Sequence, residues 1–404
     1  MASTPIEYDV LAPVHDTEER DRALERLRRD DPIHWDEKNQ WWLCTRYADV
    51  RHVSRHPEIF SSEPKGPWHV AEHRFSMQAM DGEPHQRHRG VVSRAFTPRM
   101  VSNLTDRARR YAEEAIDALE GRSGCEFVNE LAVPVPMRII ADMLGVADGD
   151  LERFRQWTDA MISGTNPDND PDHFARSAAL VGELQGYVGR KAEERRAEPR
   201  DDVLSGIVGA GDAGLLHDAV GGFDGNDDSA AGAVKDMALF LLMAGNETTR
   251  NAISQGMLVL LQHPEQKERL IRDPSLWATA ADEVLRWTCP VRAMRRTALR
   301  DTDLSGQAIR QGESVVLVYA SANRDETVFE APHTFRVDRT PNDHLALGFG
   351  PHYCLGANLA RMEIRAALER VLARRPDLRL AAKPVFTPSA LIDGVLEMPV
   401  EWGP

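Results

Sequence analysis

The densest local chemistry in this 404-residue sequence lies at Leu345–Gly356, which reads LALGFGPHYCLG. One cysteine, Cys354, is bracketed by Gly348, Gly350 and Gly356. Glycines of this kind let a backbone run close to a flat ligand and take positive φ angles. The N–H groups of such a loop can point at the sulfur, and donors aimed at a thiolate hold its charge and tune the metal it binds. A helical pattern, Leu355–Arg374, starts directly after the cysteine. A helix N-terminus favours negative charge and lowers a thiol pKa. The residues therefore predict an anionic sulfur on a rigid loop at a helix start. Two other chemistries share these residue types: an inert buried cysteine in a glycine-rich turn, and a cysteine nucleophile with His352 as its base. The nucleophile reading suffers from the two-residue spacing, which rarely gives the required geometry on a tight loop.

Three further constellations carry charge or hydroxyls at functional spacing. Glu283 and Arg286 are i, i+3 and share a helical face; a solvated surface pair is the plain alternative. In Ala244–Thr249 (AGNETT) a glycine, an acid and two threonines interrupt the apolar stretch Met237–Met243. Such residues weaken a helical ladder and let a kink or a water insert. The acid Glu247 beside the alcohol Thr248 permits a proton relay; the alternative is a helix end followed by a new N-cap. Finally, His85 and Arg89 are i, i+4 after Asp81-Gly-Glu-Pro84. They read either as an anion-binding pair or as a basic solvated face capped by Asp81.

Mostly helical elements must position these groups. The patterns predict helices over Thr17–Asp30, Tyr47–Arg55, Val101–Glu120, Pro136–Leu144, Leu151–Ile162, His173–Ala197, Ala233–Gln262, Ser275–Trp287 and Ala357–Arg374. Pro84 opens another. Strand character is confined to Ile33–Trp35, Trp41–Cys44, Asp303–Tyr319 and Val395–Trp402, with a long loop at Ser61–His73. Gly209–Gly232 is the one linker candidate, read as a surface loop between two helices of one domain.

Composition narrows the partners. The net charge of −15 argues against nucleic-acid binding, which needs a basic face, and against docking on an anionic membrane. The four cysteines, Cys44, Cys125, Cys289 and Cys354, form no CxxC pair, so neither a disulfide framework nor a zinc site is expected. The N-terminus lacks a signal-peptide pattern and the longest apolar run is too short to span a bilayer. A cytoplasmic protein with no membrane anchor is the expectation.

Taken together, these segments resemble the cytochrome P450 family, whose haem loop reads Phe-Gly-x-Gly-x-His-x-Cys-x-Gly. Gly348, Gly350, His352, Cys354 and Gly356 match it, while Leu347 replaces the usual phenylalanine. Glu283-x-x-Arg286 with the later Pro332-x-x-Phe335-x-x-x-Arg339 matches the family's buried ion network, and Ala244–Thr249 matches its oxygen-binding motif. The resemblance covers essentially the whole chain in motif order. Ala244–Ser254, Ser321–Asp325 and Gly356–Arg361 look closest to actinobacterial members, some of which hydroxylate sterol side chains or methyl-branched lipids.

The resemblance implies a mainly α fold, one haem-thiolate domain over residues 1–404 with a small β region. It implies haem b (Fe-protoporphyrin IX) with Cys354 as axial iron ligand. Haem contacts would come from His85, Arg89, Ala244, Arg296, Gly348, Phe349, Gly350, His352, Leu355, Gly356 and Ala360, with Arg295 competing for the place of Arg296 at the propionates. Glu247 and Thr248 would be catalytic, and Glu283, Arg286 and Arg339 structural. A hydrophobic substrate would meet Leu239, Met243, Val291, Met294, Leu391 and Ile392, with Phe60–Met80 closing the pocket and Arg292 and Trp68 as specificity candidates. The implied activity is hydroxylation by O2, with sterol side chain, branched lipid, terpenoid and polyketide all open as substrates. No flavin or nicotinamide motif occurs in the chain, so the electrons of NAD(P)H would arrive through a ferredoxin and its reductase. Arg94, Arg99, Arg361 and Arg365 are candidates for a basic docking patch. A monomer is the default.

Overall fold

Apolar residues recur at helical spacing along most of the chain, and thirteen α-helices form among the described residues. The computed structural model describes residues 8–12, 17–68, 76–163, 171–216, 229–387, 389 and 391–403. The helices are α1 Thr17–Asp30, α2 Tyr47–Arg55, α3 Gly82–Ser93, α4 Pro98–Asp117, α5 Pro134–Leu144, α6 Leu151–Ser163 and α7 Pro171–Ala197. They continue as α8 Val203–Asp212, α9 Ala230–Gln262, α10 Pro264–Arg272, α11 Trp277–Thr288, α12 Tyr319–Ala322 and α13 Ala357–Arg374. The strands are β1 Ile33–Asp36, β2 Trp41–Cys44, β3 Phe60–Ser61, β4 Gly124–Glu126, β5 Ala293–Ala298 and β6 Thr302–Leu304. Short strands follow: β7 Gln307–Ile309, β8 Ser314–Val318, β9 Arg379–Leu380, β10 Val385–Phe386, β11 Val395–Glu397 and β12 Pro399–Glu401. The fold is mainly α with a small β region, as the sequence implied.

Local chemistry sets the helix ends. Thr97 caps α4 by accepting from the Met100 N–H at 3.4 Å, with Pro98 in the first turn. Ser229 caps α9 by accepting from the Gly232 N–H at 3.1 Å. Through its middle α9 is apolar nearly all round, so it runs through the core, as Met237–Leu242 show by their burial. α5, α11 and α13 pack around it. The largest sheet, ordered β1-β2-β8-β5-β3, lies to one side. α1 covers that sheet, with Leu24 and Leu27 packed on Trp41, Leu43, Val316 and Val318.

The expected linker Gly209–Gly232 needs correction. Its first residues belong to α8, which Asp202 caps at 2.8 Å through the Ser205 N–H and which buries Leu204, Ile207 and Val208. Gly206, Gly209 and Gly211 within the helix hid the pattern. Residues 217–228 of the linker lie outside the described residues, as do 69–73 of the expected Ser61–His73 loop. α10 and β5 were also illegible, because α10 buries only Leu270 and β5 carries two arginines in an interior strand. Among the described residues no helix is long and apolar enough to cross a membrane.

One buried ion network ties α11 to the segment that leads to the cysteine loop. Glu283 has no accessible surface. Its carboxylate accepts from Arg286 Nε and Nη2 at 2.8 and 2.9 Å, and from Arg339 Nε at 3.0 Å. It also accepts from the Arg336 N–H at 2.9 Å and Asn342 Nδ2 at 3.2 Å. Arg286 Nη1 continues to the carbonyls of Asn323 and Pro332, each at 2.9 Å. The Asn323 side chain in turn accepts from the Leu345 N–H at 2.6 Å, at the head of the cysteine loop. Glu283→Ala strands two buried guanidiniums and is expected to cost about 3–5 kcal/mol in denaturant unfolding; a loss under about 1 kcal/mol would mean the charges are solvated.

Candidate functional site

The Leu345–Gly356 loop is closed by its own backbone. The Cys354 N–H donates to the Leu347 carbonyl at 2.8 Å, and the Gly348 N–H to the Leu345 carbonyl at 2.9 Å. Leu347 thus serves through its carbonyl, while its side chain is buried in the core. Gly348 and Gly350 take φ of +70° and +71°. At Gly350 a Cβ would also lie 2.5 Å from the Ser54 carbonyl oxygen of α2, so only glycine fits. The Phe349 ring meets α2 as well, with the guanidiniums of Arg51 and Arg55 over it at 4.4 and 4.7 Å.

Cys354 is half-buried and α13 starts three residues later, at Ala357. Burial pushes its thiol above the ordinary range; the Gly356 N–H and the charges of Arg89 and Arg361 oppose this without reversing it. The lowered thiol pKa expected from the helix start is therefore corrected: loss of water outweighs the nearby dipole.

A cluster of two histidines and two arginines gathers beside this loop. The His85 and His352 rings lie with centroids 4.3 Å apart, tilted by 34°. Burial, His352 and Arg89 pull the His85 pKa down to about 4. Arg89 reaches the loop itself, donating to the Tyr353 carbonyl at 2.7 Å. In β5 neighbouring side chains alternate faces. Arg295 donates to the Gly66 carbonyl at 3.2 Å and to the Lys65 carbonyl, away from the histidines. Arg296 is the arginine of the pair whose charge acts on His85 and His352. Asp81 does not cap α3 with its side chain. Its carboxylate instead takes His352 Nε2 at 2.9 Å, and Ser61 Oγ and the Ser62 N–H at 2.7 Å each. The capping reading of Asp81 fails because these donors compete for the same oxygens.

Across the core, α9 is continuous through Ala244–Thr249, so the helix-end alternative is excluded. Within a buried stretch, accessible surface returns at Met243, Ala244, Gly245 and Thr248. Thr248 Oγ1 donates to the Ala244 carbonyl at 2.8 Å. Glu247 is buried; its Oε1 accepts from Arg250 Nη2 at 2.5 Å and Asn251 Nδ2 at 2.8 Å, and its Oε2 has no partner. Sequence reasoning missed Asn251 and also Glu363, whose hydrogen-bond partner is the Thr249 hydroxyl. The signal for Glu363 was an acid at i+4 from Leu359 and i−4 from Ala367, inside the buried stripe of α13.

The expected pocket residues divide. Met243, Val291, Met294, Leu391 and Ile392 are half-buried apolar groups, and Val291 pairs with Ile392 in an antiparallel bridge. Leu239 has no accessible surface and packs wholly in the core, so its pocket role is corrected: its face of α9 is filled by neighbouring helices. Arg292 is also corrected; it is 1% exposed and pairs with Asp393 at 3.1 Å. Trp68 Nε1 donates to Gln78 Oε1 at 3.1 Å. Residues 69–75 of the Phe60–Met80 stretch lie outside the described residues. Of the basic candidates, Arg361 is paired with Asp282 at 2.6 Å and Arg365 with Glu369 at 3.1 Å. Arg94 and Arg99 are exposed.

Burial raises the Glu363 carboxyl to about 8, and the Thr249 bond only partly offsets this. The folded chain then keeps a proton that the unfolded chain releases in the ordinary carboxylate range. Stability is full below that range and falls as pH rises, by about 1.4 kcal/mol per unit, levelling off above the folded pKa. Glu363→Gln is expected to flatten this part of the profile, as read by denaturant unfolding across pH. An unchanged slope would mean that the native carboxyl is ionised.

Comparison with known proteins agrees with this geometry. Residues 277–374 match the family model described as cytochrome P450. The chain is 39% identical to the methyl-branched lipid omega-hydroxylase of Mycobacterium tuberculosis, covering 96% of this chain and 92% of the relative. It is 35% identical to a steroid C26-monooxygenase of Mycolicibacterium smegmatis over 94% of this chain and 90% of that one. Among solved structures, a Mycobacterium marinum cytochrome P450 in complex with pseudoionone superposes with a TM-score of 0.84 at 33% identity, covering 99% of this chain and 100% of the other. A Bacillus subtilis cytochrome P450 gives 0.82 at 32% identity, over 96% and 100%. With relatives this close over nearly its full length, a thiol loop at Cys354 and an oxygen-motif helix running through its core, the chain belongs to the cytochrome P450 family and is a monooxygenase.

Proposed function

We propose that the chain is a single-domain, ferredoxin-dependent haem-thiolate hydroxylase of aliphatic lipid or sterol side chains. The observation that carries this is the donor set: one cysteine sulfur on a glycine-shaped loop, beside two arginines, Arg89 and Arg296, and two neutral histidines, His85 and His352. Burial and the charges of Arg89 and Arg296 lower the proton affinity of both histidines, with Asp81 as the opposing anion. Such a cluster suits two propionates, and arginine holds carboxylates well. A coordinated metal ion also reverses the raised thiol pKa, because a ligating thiol is deprotonated outright. The residues therefore fit haem b.

When bound, haem supplies the reductive activation of O2 and the insertion of one oxygen atom into a C–H bond. Cys354 would hold the iron through its thiolate, with the Gly356 N–H directed at the sulfur. Gly348, Phe349, Gly350, Leu355, Gly356 and Ala360 would hold the group from the cysteine loop and the start of α13, and Ala244 and Thr248 from α9. Glu247 Oε1 is held by Arg250 and Asn251, which leaves Oε2 as the atom that carries a proton toward Thr248 Oγ1. The apolar side chains of Met243, Val291, Met294, Leu391 and Ile392 exclude water and receive the substrate. The omega position of a branched lipid and C26 of a steroid both end an aliphatic chain, and relatives with these activities support a substrate of that kind. Electrons come from NAD(P)H through ferredoxin reductase and ferredoxin, with exposed Arg94 and Arg99 as docking charges for an acidic carrier. The chain acts as a cytoplasmic monomer.

The reduced carbon monoxide complex is expected to show a thiolate-type Soret band that Cys354→Ser abolishes; a variant that keeps the band would refute the ligand assignment. Thr248→Ala is expected to keep the band but lower product per electron pair by about tenfold or more, with the difference appearing as peroxide. Unchanged coupling would remove Thr248 from the proton path. A spin-shift screen of methyl-branched fatty acids and sterols tests the substrate class.

A further inference from the structure

A buried cluster of charges lies outside the chemistry above, at the C-terminal turn. Every polar atom of Asp393 is committed. Oδ2 accepts from Arg20 Nη1 of α1 at 2.9 Å, and Oδ1 pairs with Arg292 Nη1 at 3.1 Å. The Asp393 N–H donates to the Pro290 carbonyl at 2.8 Å, and its own carbonyl accepts from Gln255 Nε2 of α9 at 2.7 Å. The three ionic side chains are 7%, 1% and 8% exposed. Buried ion pairs add little net stability, because desolvation offsets their attraction, but they fix geometry.

What this triad fixes lies on both sides of Asp393. Before it, Ile392 bridges to Val291, and the Leu391 and Ile392 N–H groups donate to Ser389 Oγ at 3.3 and 3.2 Å. The Ser389 carbonyl accepts from Arg292 Nη2 at 2.8 Å, so the same arginine holds both Ser389 and Asp393. After it, Gly394 rests against Asn251 of α9, where any Cβ would collide with Asn251 Oδ1. Asn251 is the residue that holds Glu247. The turn carrying Leu391 and Ile392 is thus suspended from α1 at one point and pressed on α9 at another.

We propose that Arg20, acting through Asp393, is a specificity-determining positioning residue: the triad sets how far the Leu391–Ile392 wall projects, and so the length of apolar chain the site accepts. This rests on the reading that the wall lines the substrate path. Arg20 itself lies on the sheet-covering helix, where it also pairs with Asp21 at 2.9 Å, and it reaches the wall through Asp393.

The test uses haem-loaded Arg20→Gln and Arg20→Lys, titrated with butylimidazole and dodecylimidazole. The ring nitrogen of each probe ligates the iron and shifts the absorbance spectrum, while the tail samples the pocket wall. Arg20→Gln is expected to weaken dodecylimidazole binding by about tenfold and to leave butylimidazole within about twofold, with Arg20→Lys restoring the long-chain affinity. Both probes weakening together, or neither changing while the melting temperature falls, would reduce the triad to a structural brace and overturn the proposal. A wild-type enzyme that binds dodecylimidazole no better than butylimidazole would overturn the placement of the wall, and the substrate reading with it.

Discussion

Glu283 carries a negative charge where no water reaches it, and that charge organises the half of the molecule that matters most for the site. Left alone, a carboxylate in such a place is several kcal/mol out of balance. Two guanidiniums, a peptide N–H and an amide restore the balance, and all but one of these donors come from a distant stretch of chain. That stretch must therefore close on α11 as a unit. Asn342 stands three residues before Leu345, where the cysteine loop begins, and Asn323 binds the Leu345 N–H directly. The position of the Cys354 sulfur follows from a charge balance settled elsewhere in the core.

At the loop itself two opposed electrostatic problems sit side by side. The sulfur has lost enough water that burial favours its protonated form. The neighbouring histidines are held in their neutral form by burial and by nearby positive charge. Each is poised for a partner of opposite sign, a cation at the sulfur and carboxylates at the histidines and arginines. A metal macrocycle with acidic side chains satisfies both at once. The same arrangement explains why Asp81 is taken from the helix end to serve His352.

Buried charge also shapes the apolar side of the molecule. Arg292 and Arg20 converge on Asp393 within one residue of Ile392, and Asn251 joins the turn to the acid of α9. Apolar contacts alone are non-directional and would let this wall shift. Hydrogen bonds to every polar atom of one residue do not.

Local pattern determined a good deal. The bounds of α1, α2 and α13 follow from residue spacing and breakers, and the positive φ of Gly348 and Gly350 from the glycine positions in the loop. The pairing of Glu283 with Arg286 also lay within one helical turn. The motif resemblance already joined this pair to Arg339 in a buried network, as the structure has it. Only the tertiary structure decided that Leu239 faces the core, and that Arg292 serves an ion triad instead of a pocket. It alone decided that the Cys354 thiol is raised and that Glu363 holds its proton. Spacing tells which side chains share a face of one element. Which groups lose water together depends on segments far apart in sequence, and desolvation, more than local dipoles, sets the charge each group carries.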